Sequence, residues 1–386
     1  MRKSRPSKTR TSRNSTLSRP TALTGPLGTG ARQRKKSSPR TLALSRREKY
    51  NDALRLASRW QLTALQVLSV TRPTVDRYLL LVQRFQSWCA PQGVLLPFFK
   101  PTEMARVSDK ADVALSSFFD ACFWDGLELG SGNTTLAGMG FFHPVLRLDR
   151  GLHLSRLALK GWAKRNPAHS RDPMPWVVAC RIAVELIHMG ECMCALGVVL
   201  MFTLYLRPGE LLDSLTKAWI PPVPGLSHGY MHWTIIVAPQ DGGRPAKNQQ
   251  YDSSVPLDRP ELQWLTPLLE LVKSKRRPDQ TFLGLTYEHF KKAFDVATEN
   301  SGLSVLGLVP YQCRHGGVSH DLQEGFRSLT AAKLRGRWLC ESSLRRYEKH
   351  GLLGKQMHKL SRVVHHQCLT ASRLLEDAFK QGHTKL

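Results

Sequence analysis

The chain has 386 residues, 41% of them hydrophobic, which at roughly 150 residues per domain is enough for two to three cored domains and excludes wholesale disorder. Its 56 Lys and Arg against 30 Asp and Glu leave a net charge of +26, which points to a polyanionic partner, with nucleic acid ahead of an acidic membrane. The longest uncharged apolar run, Cys192 to Leu206, is too short to span a bilayer and reads as a buried helix, so no membrane-spanning role is expected.

The first 47 residues hold 14 Lys and Arg and no acid; Glu48 is the first. This segment, rich in Ser, Thr, Arg and Pro, is expected to be a disordered basic tail over 1–49. It lacks the apolar stretch of a secretion signal. Arg34, Lys35 and Lys36, in the run Arg32 to Lys36, suit a grip on phosphate or a nuclear address. An organelle transit peptide is the alternative. The expected location is intracellular, nuclear in a eukaryote.

A helical, DNA-binding bundle is expected over 50–166. Thr74 can cap a helix whose apolar positions are Val75, Tyr78, Leu79, Val82, Phe85 and Trp88. Arg72, Arg77 and Arg84 lie off that stripe, available to phosphates. Further helices are expected from Ser108, over 134–148 and over 152–164. Three prolines among polar residues then mark an interdomain linker over 167–175.

A second domain is expected over 176–352. Helical pattern runs from Trp176 to Leu206, and Pro208 can open the next short helix. The period then changes to β-rich runs at 232–237 and 251–257, joined by a turn-rich connection carrying Lys247. Helices return at 260–273, 286–298, 311–323, 330–337 and 341–349. In the remaining 353–386, a helix from about 355 to 380 carries the stripe Met357, Leu360, Val364, Cys368, Ala371, Leu375 and Ala378. The stripe can be buried by folding back onto the second domain of its own chain; with Gly351 and Gly354 as a hinge, exchange into a neighbouring protomer is the expected alternative. None of the eight cysteines forms a CxxC pair, and His365-His366-Gln367-Cys368 lacks a second ligand pair, so neither a disulfide framework nor a metal is expected. The fold class is mostly α with a small β-hairpin or sheet.

Four islands carry candidate chemistry: Leu204-Tyr205-Leu206-Arg207-Pro208-Gly209-Glu210; the hairpin with Lys247; Tyr311-Gln312-Cys313-Arg314-His315-Gly316; and Arg335-Gly336-Arg337-Trp338, followed nine residues later by Tyr347. In order and spacing they resemble the boxes of the tyrosine recombinase (phage integrase-like) family. The resemblance covers about residues 50–352. It implies a two-domain architecture, a helical DNA-binding bundle plus a mixed α catalytic domain closing on duplex DNA. It also implies a homotetramer on DNA, and strand breakage and rejoining through a 3′-phosphotyrosyl intermediate, as in DNA integration. By the same resemblance Arg207 and Arg314 bind the scissile phosphate and Glu210 supports Arg207. Lys247 is the general acid, Trp338 fills the His/Trp position and Tyr347 is the nucleophile. One box departs: Tyr311 stands where His is commonest.

Elementary chemistry asks for the same residue types. In-line attack on a phosphodiester builds negative charge on its non-bridging oxygens, which permanently charged, forked arginines bind bidentately. A tyrosine conserves the bond energy as an ester, a lysine can protonate the leaving 5′ oxygen, and no metal or other cofactor is needed. A tyrosine at 311 is a poor base, and His315, one helical step of about 100° beyond Arg314, is expected to face elsewhere. Two other readings stay open: a relative that binds DNA without cutting it, and a basic RNA-binding or chromatin scaffold in which the islands never meet.

Overall fold

The computed structural model describes residues 47–48, 50–94, 108–147, 151–167, 171–225, 231–242, 246, 250–341, 344, 347 and 350–382. The basic tail with Arg34, Lys35 and Lys36, and the hairpin Lys247, lie outside them. The chain divides into two compact units, Met1–Ala168 and His169–Leu386. It is mostly helical with one three-stranded antiparallel sheet. No helix among the described residues is long and apolar enough to cross a membrane.

The first unit contains α1 (Asn51–Trp60), α2 (Ala64–Leu68), α3 (Arg72–Cys89), α4 (Ser108–Trp124), α5 (Leu129–Phe142) and α6 (His153–Arg165). Thr63 and Gln66 form a reciprocal capping box on α2, worth about 1 kcal/mol. The N-cap of α3 is Thr71, three residues before the expected Thr74 cap, because Pro73 fits the first turn, where its missing N–H costs no bond. Val75, Val82 and Phe85 then turn inward onto Phe118 and Phe142. The start of α6 is held from another helix: the buried Asp112 carboxylate accepts the backbone N–H groups of Leu154 (2.8 Å) and Ser155 (2.9 Å). These are orphan donors of a helix N-terminus, so a negative group there is favoured twice, by hydrogen bonds and by the helix dipole.

The second unit is built round α8 (Cys192–Thr203), which is apolar on every side and buried except at Met193. The helical stretch expected from Trp176 is divided into α7 (Trp176–His188) and α8, because Gly190 turns the chain at φ +82. After the short α9 (Pro208–Leu212) come strands β1 (Trp219–Ile220), β2 (Thr234–Val237) and β3 (Ser253–Pro256). Trp219 pairs with Ile235, and Ile235 with Val255, so the apolar residues share the inner face. Helices α10 (Thr266–Ser274), α11 (Tyr287–Asn300), α12 (Gln312–Gln323), α13 (Leu329–Gly336), α14 (His350–His358) and α15 (Arg362–Gly382) complete the unit.

Two expectations change here. Pro173, Met174 and Pro175 are buried in the second unit instead of serving as free linker, with Pro175 capping α7. The C-terminal pattern is two helices, broken near Leu360 where Ser361 caps α15. Gly351 and Gly354 sit inside α14 and do not hinge. Cys368, Ala371, Leu375 and Phe379 of α15 are buried in the core of the second unit, with Phe379 against Trp264. The stripe is thus covered within its own chain, and exchange into a neighbouring protomer is not needed to bury it.

Helix α12 lies very close to its neighbours. A Cβ on Gly317 would stand 1.9 Å from the Phe202 carbonyl oxygen, and one on Gly316 2.1 Å from that of Met174. Both neighbours are backbone and cannot rotate away. Gly317→Ala is therefore expected to destabilise the protein by about 3 kcal/mol, read from the urea midpoint at unchanged slope. Leu375→Ala should cost about 3 kcal/mol in the isolated monomer; a helix exchanged between chains would leave monomer stability unchanged.

Candidate active site

Three of the four islands meet in the second unit. Arg207 is the N-cap of α9, and Pro208 opens that helix. Glu210, three residues on, folds back to accept the Arg207 backbone N–H at 2.8 Å and also pairs with the Arg207 guanidinium. The oxygen that takes this backbone N–H also receives Nη2 of Arg337 at 2.6 Å and lies 3.5 Å from Nη1 of Arg314. One carboxylate therefore gathers three guanidinium groups from three separate stretches of chain. Burial alone would raise the Glu210 pKa, but Arg337, Arg314 and Arg207 together with the backbone N–H hold it below its ordinary value of 4.5. Burial also lowers Arg314 and Arg337 from the usual arginine value, opposed by Glu210.

Arg314 reaches this point from the first turn of α12 and is fully buried. Its Nη atoms donate to the carbonyls of Tyr205 and Gly336, and its guanidinium lies 4.5 Å from the Trp338 ring. Gly336 leaves room for that stack, since a Cβ there would stand 1.5 Å from a Trp338 ring carbon. Arg207 is the more open of the two expected phosphate-binding arginines, with 21% of its side chain exposed. Trp338 continues to Tyr347, the ring centroids 5.2 Å apart, and Tyr347 is only 5% exposed.

His315 does not face away from the site. Its ring stands edge-on to Tyr347 (centroids 5.1 Å) and also contacts Tyr311 (5.0 Å). Tyr311 and His315 are four residues apart, so they share one face of α12, while Arg314 turns inward. Arg337, given no role from sequence, is the third cation of the cluster. The island that contains it is visible in the chain, but only the contact with Glu210 shows its part.

Tyr205 ends α8 at φ +51, with the Leu206 N–H bonded to the Met201 carbonyl at 3.2 Å. That is the helix-ending position usually taken by glycine, and another residue there costs roughly 1–2 kcal/mol. Beneath it lies a second ionic layer. The Tyr205 hydroxyl donates to Asp321, which pairs with Arg259 and, at 3.1 Å, Arg327. Arg327 and Arg335 both pair with Asp258.

In the first unit, Arg77 and Arg84 are exposed and seven residues apart on α3, hence on one face. Arg72 lies elsewhere on that helix and pairs with Asp76 at 2.9 Å. One His/Cys/carboxylate group forms among the described residues: Glu191, Cys194 and His289, with Glu191 to His289 at 2.9 Å. It sits in the first turns of α8 and α11, whose positive ends oppose a cation, and the carboxylate–imidazole bond accounts for it. No protein-family model matches the chain, and no curated protein does so either.

A folded-state pKa held below the unfolded value gives stability that is present above the unfolded value and lost as pH falls through the folded one. Glu210 should contribute fully above about 4.5, its ordinary value, and progressively less below it. Glu210→Gln is expected to cost about 3 kcal/mol at neutral pH and to flatten the acid limb of stability against pH; an unchanged acid limb would show that the carboxylate is not held by the arginines.

Proposed function

We propose that the chain breaks and rejoins DNA strands through a covalent phosphotyrosyl intermediate, as the resemblance to tyrosine recombinases implies. The observation that carries this reading is the convergence of Arg207 and Arg314 on Glu210, with Trp338 and Tyr347 stacked beside them. A coincidental set of islands would have left these groups apart.

In the proposed reaction the scissile phosphate lies against the arginine cluster. The Tyr347 hydroxyl attacks phosphorus and the bond to the 5′ oxygen breaks. His315, ring to ring with Tyr347, takes the phenol proton, and Lys247 delivers one to the departing 5′ oxygen. Tyr311 orients His315, so the departure in that box leaves a base available one residue after Arg314. Preorganised guanidinium donors, already fixed before the charge develops, contribute roughly two to three orders of magnitude each. Duplex DNA is the partner, gripped also by Arg77 and Arg84 and by the basic tail. The tetramer that the resemblance implies would assemble through contacts other than exchange of residues 362–382.

The burial of Arg314 and Tyr347 favours one second reading, a relative that binds DNA and no longer cuts it. A nicked duplex that releases a short fragment on cleavage separates the two, because the covalent complex then accumulates. The wild type is expected to be trapped on this DNA. Tyr347→Phe should lose all attachment with affinity within about twofold, since only a hydroxyl is removed. Attachment that survives in Tyr347→Phe would move the nucleophile to another residue, and none in the wild type would leave the binding-only reading. Removing residues 1–47 should weaken binding and flatten the log–log salt dependence by roughly 0.9 for each phosphate the tail had neutralised. An unchanged slope would make the tail an address.

A further inference from the structure

We propose that Tyr205 is a positioning residue, in which a side chain tied to the lower ionic layer aims a backbone carbonyl at the arginines of the upper one. The inference rests on the strand-cleaving reading for its kinetic readout, but the geometry is independent of it.

Tyr205 holds a left-handed conformation (φ +51) in the turn that ends α8. Its carbonyl consequently points to the site, where it accepts from Arg314 Nη1 and faces Arg337 Nη2 at 3.4 Å. Such a conformation is costly for a residue with a side chain and persists only when its surroundings over-determine it. Three contacts do so. The buried hydroxyl donates to Asp321, whose carboxylate is itself held by Arg259 and Arg327. The Arg335 guanidinium lies 5.4 Å from the ring centroid. The ring also packs in the small cluster that contains Val318, Leu344 and Tyr347, and a Cβ on Gly317 would come within 3.0 Å of it.

The carbonyl is the part the site uses. It fixes one Nη of Arg314 while the Gly336 carbonyl fixes the other, so the plane of the guanidinium is set by two backbone groups. A guanidinium free to rotate would meet the scissile phosphate in many orientations, and small misplacements of that kind cost up to about 100-fold in rate. Tyr205 itself touches neither the phosphate nor Tyr347's reacting oxygen in this scheme. It acts through Arg314 and Arg337.

The test is Tyr205→Phe in the full chain. Phe keeps the ring, its packing and the stack under Arg335, and removes only the hydroxyl that reaches Asp321. Two measurements are made. The first is the rate of covalent attachment on two nicked duplexes, one with an ordinary scissile phosphate and one with a methylphosphonate, which lacks the charge that an aligned guanidinium serves. The variant is expected to bind DNA within about twofold, to lose roughly 10- to 100-fold in attachment rate on the phosphate, and to lose less than about threefold on the methylphosphonate. An equal loss on both substrates would mean a general structural defect, and no loss on the phosphate would mean that the anchor is idle; either overturns the proposal.

The second measurement needs no activity. The guanidinium protons of Arg314, assigned by their disappearance in Arg314→Lys, should exchange slowly with solvent in the wild type and about tenfold faster or more in Tyr205→Phe, once the carbonyl that holds them is released. Unchanged protection in the variant overturns the proposal. A wild type that forms no covalent complex defeats the strand-cleaving reading instead, and guanidinium exchange then decides the role of Tyr205 alone.

Discussion

Three guanidinium groups cannot share a dry pocket without a counter-charge, and Glu210 is the carboxylate that makes the second unit's site possible. Its place follows from local sequence. Pro208 starts a short helix, which sets Glu210 in the first turn where it reaches back to the Arg207 backbone N–H. The positive end of the helix adds to the stabilisation of the carboxylate. The same short segment thus supplies one arginine and the anion that lets two more approach. Three cations around one anion leave the cluster positive, which is the condition for attracting a further anion to it.

Close backbone packing puts Arg314 where Glu210 can reach it. Gly316 and Gly317 bring α12 against the Met174 and Phe202 carbonyls, and Gly336 lets Trp338 fold back over the guanidinium. A side chain at Gly316 or Gly317 would drive α12, which carries Arg314, off these carbonyls, and one at Gly336 would displace the Trp338 ring. Such depth restricts access: Arg314 is sealed, whereas Arg207 at the N-cap stays partly open.

Part of this arrangement can be read from the chain and part cannot, for identifiable reasons. Arg207 and Glu210 are three residues apart at a proline-marked helix start, so their pairing is a local event visible in sequence. The Trp338-to-Tyr347 interval and the change of period at the hairpin are equally local. The facing of His315 misleads when helical rotation is counted from Arg314, which turns into the core; counted from Tyr311, four residues before it, His315 falls on the tyrosine side. Arg337 takes its role from a carboxylate 127 residues away, and no spacing rule reports that. Strand β1 is two residues long, too short for any alternation to register. The stripe on α15 announces that it must be covered, and a stripe alone does not name the surface that covers it.

The two ionic layers bury their arginines in similar ways. Arg335 directs its donors to the carbonyls of Thr203 and Pro256, with Asp258 alongside. Arg327 divides its donors between Asp258 and Asp321. These groups are satisfied within the fold and hold α12, α13 and the β3 end together. In the upper layer the Nη groups of Arg314 end on two carbonyls, and its buried Nε, like that of Arg259 in the lower layer, has no hydrogen-bond partner among the described residues. An unsatisfied buried donor on a charged group costs roughly 1–3 kcal/mol or more. The same orphan donor recurs on Arg259 in the lower layer, so it is a cost of burying guanidinium groups in both layers and does not by itself set Arg314 apart.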